Sequence, residues 1–377
     1  MIEISGKRVL LVGGAGFIGH HLAMNLRDQG ADVAILDSLQ VNNLLSFMST
    51  ADEGAPSTEL YLTILGERLT CLRTPGIRLW VQDARDYYAT CRVFDEFKPQ
   101  IVIQLAAVAH ANRSNKDPYS TFDHSLRTLE NALDASRGKV DHFIYFSSSM
   151  VYGNFKDGVV TEESPCEPIG IYGALKFAGE KMVIAYNQVF DLPYTIVRPS
   201  ALYGERCVSR RVGQIFIENA MQGLEVSVNG DGSDALDFTY IDDLAYGISC
   251  IIKSERSRGQ VFNLTYGESR TMKEMADILR SQFSNVNIRY LPKDKFMPTR
   301  GTLCVDKARD MIGYHPQFPL DRGFVRYVDW YRRLLGAAST VKQETQIIVS
   351  DEFTNEVGVG GGMDGIAVSP GPAARIL

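Results

Sequence analysis

Lys7 to Gly19 reads KRVLLVGGAGFIG, and this stretch decides the fold. Val9 to Val12 is a short apolar run of strand-favouring residues. Gly13, Gly16 and Gly19 follow at three-residue spacing, and Phe17, Ile18, Leu22 and Leu26 continue at helical spacing without proline. The pattern predicts a buried strand that turns sharply through glycines into a helix. Glycine, lacking a Cβ, lets backbone approach a pyrophosphate, and the helix that starts there points free N–H groups and its positive end at the phosphates. Gly19 is placed for close packing of helix on strand. A second strand, predicted over Ala31 to Leu36, runs into Asp37, 18 residues after Gly19. That is near the position whose carboxylate accepts hydrogen bonds from an adenosine ribose. A carboxylate there repels a 2′-phosphate, so the expected cofactor is NAD rather than NADP.

The chain has 377 residues, 45% hydrophobic and 22% charged, ordinary for a soluble globular protein of one or two domains. Its net charge of −6 gives no general attraction to nucleic acid or to an anionic membrane, and neither is expected as a partner. No apolar run reaches the length of a membrane span. The first strand follows the N-terminus almost directly, which leaves no room for a signal peptide. The six cysteines form no C-x-x-C pair and have no histidine at zinc spacing. Reduced thiols, a cytoplasmic location and no metal site are the expectation.

Beyond Asp37 the pattern loosens over residues 40–76, where LYLTILGERLTCL reads as an amphipathic helix in a segment longer than usual connections. The segment is either a substrate- or subunit-contact insertion or a surface helix. Strands are predicted at Ile77 to Gln82, Ile101 to Leu105, Val140 to Phe146 and Tyr194 to Val197, with helices over Asp86 to Phe97, Pro118 to Ser136 and Ile171 to Val189. Asp83 either faces an adenine ring or caps the next helix. This alternation predicts a Rossmann-like, doubly wound parallel sheet with ligands at the strands' carboxyl ends, where Gly13, Asp37, Ala106 and Ser148 all fall. Further on, Phe216 to Met221 and Met272 to Phe283 read as helices, Leu236 to Ile241 and Val286 to Leu291 as strands, and Arg322 to Leu335 as the closing helix.

Ser148 ends a strand, and Tyr172 and Lys176 follow 24 residues later at Tyr-x-x-x-Lys spacing, on one helix face. A lysine ammonium one turn away favours the phenolate of a tyrosine. Tyr172 can then take a proton from a substrate hydroxyl while NAD takes the hydride, with Ser148 hydrogen-bonded to the same hydroxyl.

The motifs GGAGFIG (13–19), LAA (105–107), SSSMVYG (147–153), YGALK (172–176), RPSALYG (198–204) and DFTYIDDLA (237–245) together resemble the extended short-chain dehydrogenase/reductases, in the nucleotide-sugar epimerase/dehydratase branch. The likeness covers roughly residues 5–335. It is nearest to UDP-sugar and uronate 4-epimerases. The resemblance implies tightly held NAD and a smaller C-terminal α/β substrate domain. It also implies a homodimer formed through two helices per subunit. It implies a cofactor domain over 1–200 with 236–263 contributing, a nucleotide-sugar domain over 201–235 and 264–335, and a flexible tail or arm over 336–377. Carried over by motif, Ser148, Tyr172 and Lys176 are catalytic. The cofactor falls to Gly13, Gly16, Phe17, Ile18, Gly19 and Asp37. Asp83, Ala84, Leu105, Ala106, Ala107 and Pro199 complete its site, with Tyr172 and Lys176. The substrate falls to Ser148, Ser149, Met150, Tyr172, Ala201, Arg210 and Arg300.

Several positions depart from the family pattern. The 4,6-dehydratases carry Asp-Glu where Ser149 and Met150 stand, so dehydration is not expected, and the lost Glu speaks against decarboxylation too. Ala201 replaces a usual Asn, Leu236 a usual diphosphate-binding Arg, and His124 another Asn. Arg300 keeps a phosphate-binding position, and Arg206, Arg210 and Arg211 form a basic cluster that either compensates at 236 or is a solvated loop. The expected activity is NAD-dependent epimerisation at C4 of a nucleotide hexose or hexuronate through a 4-keto intermediate. Decarboxylation, dehydration or net oxidoreduction on the same scaffold, or non-catalytic binding of NAD or a nucleotide sugar, are the alternatives.

Overall fold

A computed structural model describes residues 2–48, 58–108, 111–292 and 298–353. Residues 49–57, inside the long segment after Asp37, and the part of the expected tail or arm beyond 353 lie outside them. From edge to edge the central sheet contains Gln260–Asn263, Tyr194–Arg198, His142–Phe146, Ile101–Gln104, Arg8–Val12, Asp32–Asp37 and Arg78–Val81. Every neighbouring pair is parallel. His142–Phe146 and Ile101–Gln104 are buried along their whole length, as strands covered on both faces by helices must be. This is the Rossmann-like doubly wound fold predicted from the glycine turn. The chain changes its direction of travel across the sheet between Arg8–Val12 and Ile101–Gln104, and a crevice opens at their carboxyl ends. There the Ala106 N–H donates to the Val12 carbonyl at 2.9 Å and the Gly13 N–H to Leu36 at 2.8 Å.

The segment between Asp37 and the third strand is part of the packed interior. Its helix, Thr58–Arg73, buries Tyr61, Ile64, Leu65, Arg68 and Leu72 along one face. Tyr61 donates to Glu218 at 3.1 Å and accepts from Gln214 at 3.2 Å, both on the helix Val212–Met221. The helix is held to the body by this buried face and by Glu218 and Gln214.

Three elements differ from the expected pattern. The helix predicted over Pro118 to Ser136 is divided into Pro118–Phe122, a π-helical Asp123–Arg127 and Thr128–Ser136. The Thr128 hydroxyl donates to the His124 carbonyl at 2.8 Å and competes with the regular ladder. The strand expected over Leu236 to Ile241 breaks into Ala235–Leu236 and Thr239–Tyr240. Between them the fully buried Asp237 carboxylate accepts from Thr265, Gly267 and Leu303. The closing helix, Leu320–Phe353, continues past Leu335, since no proline follows until Pro370. Contacts divide the chain into compact units Met1–Asp329 and Trp330–Leu377. Among the described residues no helix is long and apolar enough to cross a membrane.

Gly19 tests the strand–helix contact. A Cβ there would meet the Gly14 carbonyl oxygen at 2.4 Å and its Cα at 2.5 Å, both backbone atoms. Gly19→Ala is expected to lower stability in urea unfolding by about 2 kcal/mol or more.

Candidate active site

The glycine turn forms one wall of a cleft of about 880 Å³. Gly13 sits at φ +79°, and a Cβ there would lie 2.5 Å from the Ala106 nitrogen. At Gly16 the nearest atom to such a Cβ is 3.6 Å away, so the lip of the turn stays open. The helix Phe17–Asp28 starts with no side-chain cap, which leaves its first N–H groups for a ligand. All the cofactor residues expected from the turn, from Asp37, from Asp83 and Ala84 and from Leu105 to Ala107 line this one cleft. Asp37 accepts from the Ala15 N–H at 2.9 Å and the Leu39 N–H at 2.8 Å, while burial pushes its pKa up. Burial also acts upward on Asp83, but the bonds and charge of Arg85 outweigh it and leave the carboxyl below its usual value. The helix cap is Asp86, which accepts from Ala89.

Arg68 is a cleft residue that the sequence reading missed. It is fully buried, and its guanidinium donates to the carbonyls of Ala15 at 3.2 Å and Arg206 at 2.6 Å. Its signal in the sequence is a charged residue on the apolar face of LYLTILGERLTCL. His20 ties the glycine turn to Arg206. Its Nδ1 donates to the Gly16 carbonyl and its Nε2 accepts from Arg206, both at 2.9 Å. Burial, then His21, Arg68 and Arg206, hold His20 well below the usual histidine range, consistent with a neutral ring.

A second cleft, of about 1340 Å³, shares Ile18, Leu105, Ala107 and Arg211 with the first. Ser148, Ser149, Met150, Tyr172, Lys176, Pro199, Ala201 and Arg300 all line it. Ser148 and Tyr172 face the same cleft, and the Ser148 hydroxyl accepts from the Met150 N–H at 3.2 Å. Burial pushes the Tyr172 phenol up, and Arg211, the Ser148 hydroxyl and Arg300 pull it back. Lys176 donates to the Phe146 carbonyl at 2.7 Å. The Arg300 guanidinium rests on Ser149 and Met150. Of the basic cluster, only Arg211 faces the clefts. Arg206 is tied to Glu67 and His20, and Arg210 is exposed and lines neither cleft. No spacing signal separates Arg210 from Arg211; the start of the helix Val212–Met221 orients them. His124, at the π-helical segment, lines the first cleft.

Residues 9–265 match the model of the NAD dependent epimerase/dehydratase family. The chain belongs to this family. It is 27% identical over 335 residues to a dTDP-glucose 4,6-dehydratase of Streptomyces niveus, covering 86% of this chain and 93% of that protein. It is also 27% identical over 362 residues to UDP-glucuronate 4-epimerase 1 of Arabidopsis thaliana, covering 89% of this chain and 79% of the relative. Among solved structures, the Thermus thermophilus UDP-glucose 4-epimerase in complex with NAD aligns with a TM-score of 0.73. It is 27% identical, and 86% of this chain and 99% of that one are covered. The NAD dependence of the family agrees with the cleft: an open glycine lip, uncapped helix N–H groups and a carboxylate at the end of the second strand.

Lys176 gives a pH signature. Burial pushes its pKa down to about 8, with Glu180 opposing, against 10.5 for a free lysine. Between those values the unfolded chain holds a proton that the folded chain lacks, so stability rises with pH across the window. In Lys176→Met this rise is expected to shrink, measured by urea unfolding at pH 8 and pH 10.

Proposed function

We propose that the chain is an NAD-dependent 4-epimerase of nucleotide sugars. The observation that carries this reading is the placement of Ser148, Tyr172 and Lys176 in one cleft that shares walls with the cofactor cleft. When bound, NAD supplies a hydride acceptor that takes hydrogen from C4 and gives it back. Tyr172 takes the proton of the 4-hydroxyl, and Ser148 holds the same oxygen. Arg211, Arg300 and Ser148 favour the phenolate against the cost of burial. Lys176 stands on the same helix face and donates to the Phe146 carbonyl at the strand end. Once C4 is a ketone, the ring turns over and presents its other face. Tyr172 then returns the proton. Ser149 and Met150 hold no acid–base group for C6, which speaks against dehydration.

The fold divides this work as follows. Residues 1–200 with 236–263 hold the cofactor, and 201–235 with 264–335 hold the nucleotide sugar. The assembly is a homodimer. The helices Pro118–Phe122 and Gly170–Phe190 expose Tyr119, Phe122, Val189 and Phe190, and this apolar face meets a second copy. Val189→Glu is expected to convert the dimer to monomer in light scattering; an unchanged mass rejects this face. The unpaired cysteines favour a reducing, cytoplasmic setting.

The decisive assay separates sugar nucleotides by chromatography and weighs the products. Purified protein with NAD is expected to convert one UDP-sugar into a new peak of unchanged mass. Tyr172→Phe is expected to lower the rate by about a hundredfold or more while NAD still binds. A product lighter by water, carbon dioxide or two hydrogens replaces epimerisation with the corresponding chemistry.

A further inference from the structure

We propose that Tyr145 is a positioning residue for Lys176: the face of its ring carries the lysine ammonium, and its hydroxyl, seated in a notch at Gly179, holds the helix turn from which Lys176 projects. This rests on the 4-epimerase reading above, in which the Lys176 ammonium favours the Tyr172 phenolate.

An ammonium in this place is costly. Lys176 is buried, and among the described residues its hydrogen bond goes to the Phe146 carbonyl at 2.7 Å, an uncharged acceptor. Glu180, one turn further along the same helix, acts on it through space. That carboxylate is already held by two nitrogens of Arg198 and by the Ser147 hydroxyl. Arg211 and Arg300, which line the cleft with Lys176 and act on Tyr172, are cations and give the ammonium no support. Burial prevails over Glu180 and pulls Lys176 down to about 8, so the charged form needs a further group that favours it.

Tyr145 supplies it from the strand His142–Phe146. The Lys176 Nζ lies over the Tyr145 ring, 5.3 Å from its centroid, and the ring is itself buried. An aromatic face attracts a cation, most strongly where water is excluded. Burial, then Glu180 and Tyr172, push the Tyr145 phenol well above its usual range, so the ring stays neutral and keeps this face. Its hydroxyl donates to the Lys176 carbonyl at 3.4 Å. Gly179 makes the room for that bond. A Cβ at 179 would overlap the Tyr145 hydroxyl oxygen and lie 2.7 Å from its Cζ. One side chain thus grips Lys176 at both ends, at the ammonium and at the backbone carbonyl.

The test is an NMR titration of Lys176 in lysine-labelled, NAD-loaded protein, its signal identified by its loss in Lys176→Met. Tyr145→Phe keeps the aromatic face and removes the hydroxyl. Phenylalanines with one, two or three ring fluorines at position 145 nearly keep the shape and drain the face stepwise. Lys176 is expected to hold its proton about as tightly in Tyr145→Phe as in the parent, and about tenfold less tightly with three fluorines. The alkaline limb of kcat for the epimerised UDP-sugar is expected to move down with it, by about one pH unit. The loss of the hydroxyl is expected to lower the urea midpoint once, in Tyr145→Phe, with no further fall along the fluorine series; a merely structural role would leave the titration unmoved there. Equal titration of Lys176 across the series overturns the proposal. A loss in Tyr145→Phe as large as that with three fluorines assigns the effect to the hydroxyl and also overturns it. Failure of the parent protein to epimerise any UDP-sugar rejects the 4-epimerase reading, and the titration still decides the role of Tyr145.

Discussion

The buried ion pair between Glu180 and Arg198 is the constraint on which the candidate active site depends. Their side chains are 2% and 5% exposed, and the pair is bidentate, at 2.9 Å and 2.7 Å. Ser147 donates to the same carboxylate. Arg198 also donates to the Tyr152 hydroxyl, which donates to Asn263. One pair thus joins the helix that carries Tyr172 and Lys176 to the ends of three sheet strands. Removing one partner of such a pair leaves the other charged and buried, at a cost of about 3–5 kcal/mol.

A second polar assembly does the same for the cofactor cleft. Arg68 bonds the glycine turn at Ala15 and the following loop at Arg206, and Arg206 reaches back to His20 on the first helix. The segment after Asp37 is therefore a structural part of the glycine turn's surroundings. Arg211 continues the same loop and lies in the wall common to both clefts. Cofactor and substrate regions share a boundary formed by Ile18, Leu105, Ala107 and Arg211.

The glycine turn, the second strand with its terminal Asp37 and the Tyr-x-x-x-Lys helix were legible in the sequence, because each is a local pattern with a period or a fixed spacing. Residues reached through tertiary contact were not. Arg68 shares the apolar face of Thr58–Arg73, but its partners, the carbonyls of Ala15 and Arg206, are reached only through tertiary packing. Asp237 interrupts an apparently continuous strand because its partners lie at 265, 267 and 303. Gln260–Asn263, the edge strand, is too short and too mixed in polarity to announce itself. Lys176 is where spacing placed it, but the guanidiniums acting on Tyr172 come from residues 211 and 300, beyond any sequence window.

The π-helical segment Asp123–Arg127 has a consequence for comparing this chain with its relatives. A π-turn holds one residue more than an α-turn, so the helix beyond it is rotated by about 100° relative to an unbroken one. In that phase Thr128 reaches Gln104 at 3.2 Å, and Leu129 and Leu133 enter the core. A relative with a regular helix here is one residue shorter in space without showing any loop. A gap placed after Ser136 would then mispair each position from Thr128 to Ser136 by one, exchanging core side chains for wall side chains on paper while the folds still superpose.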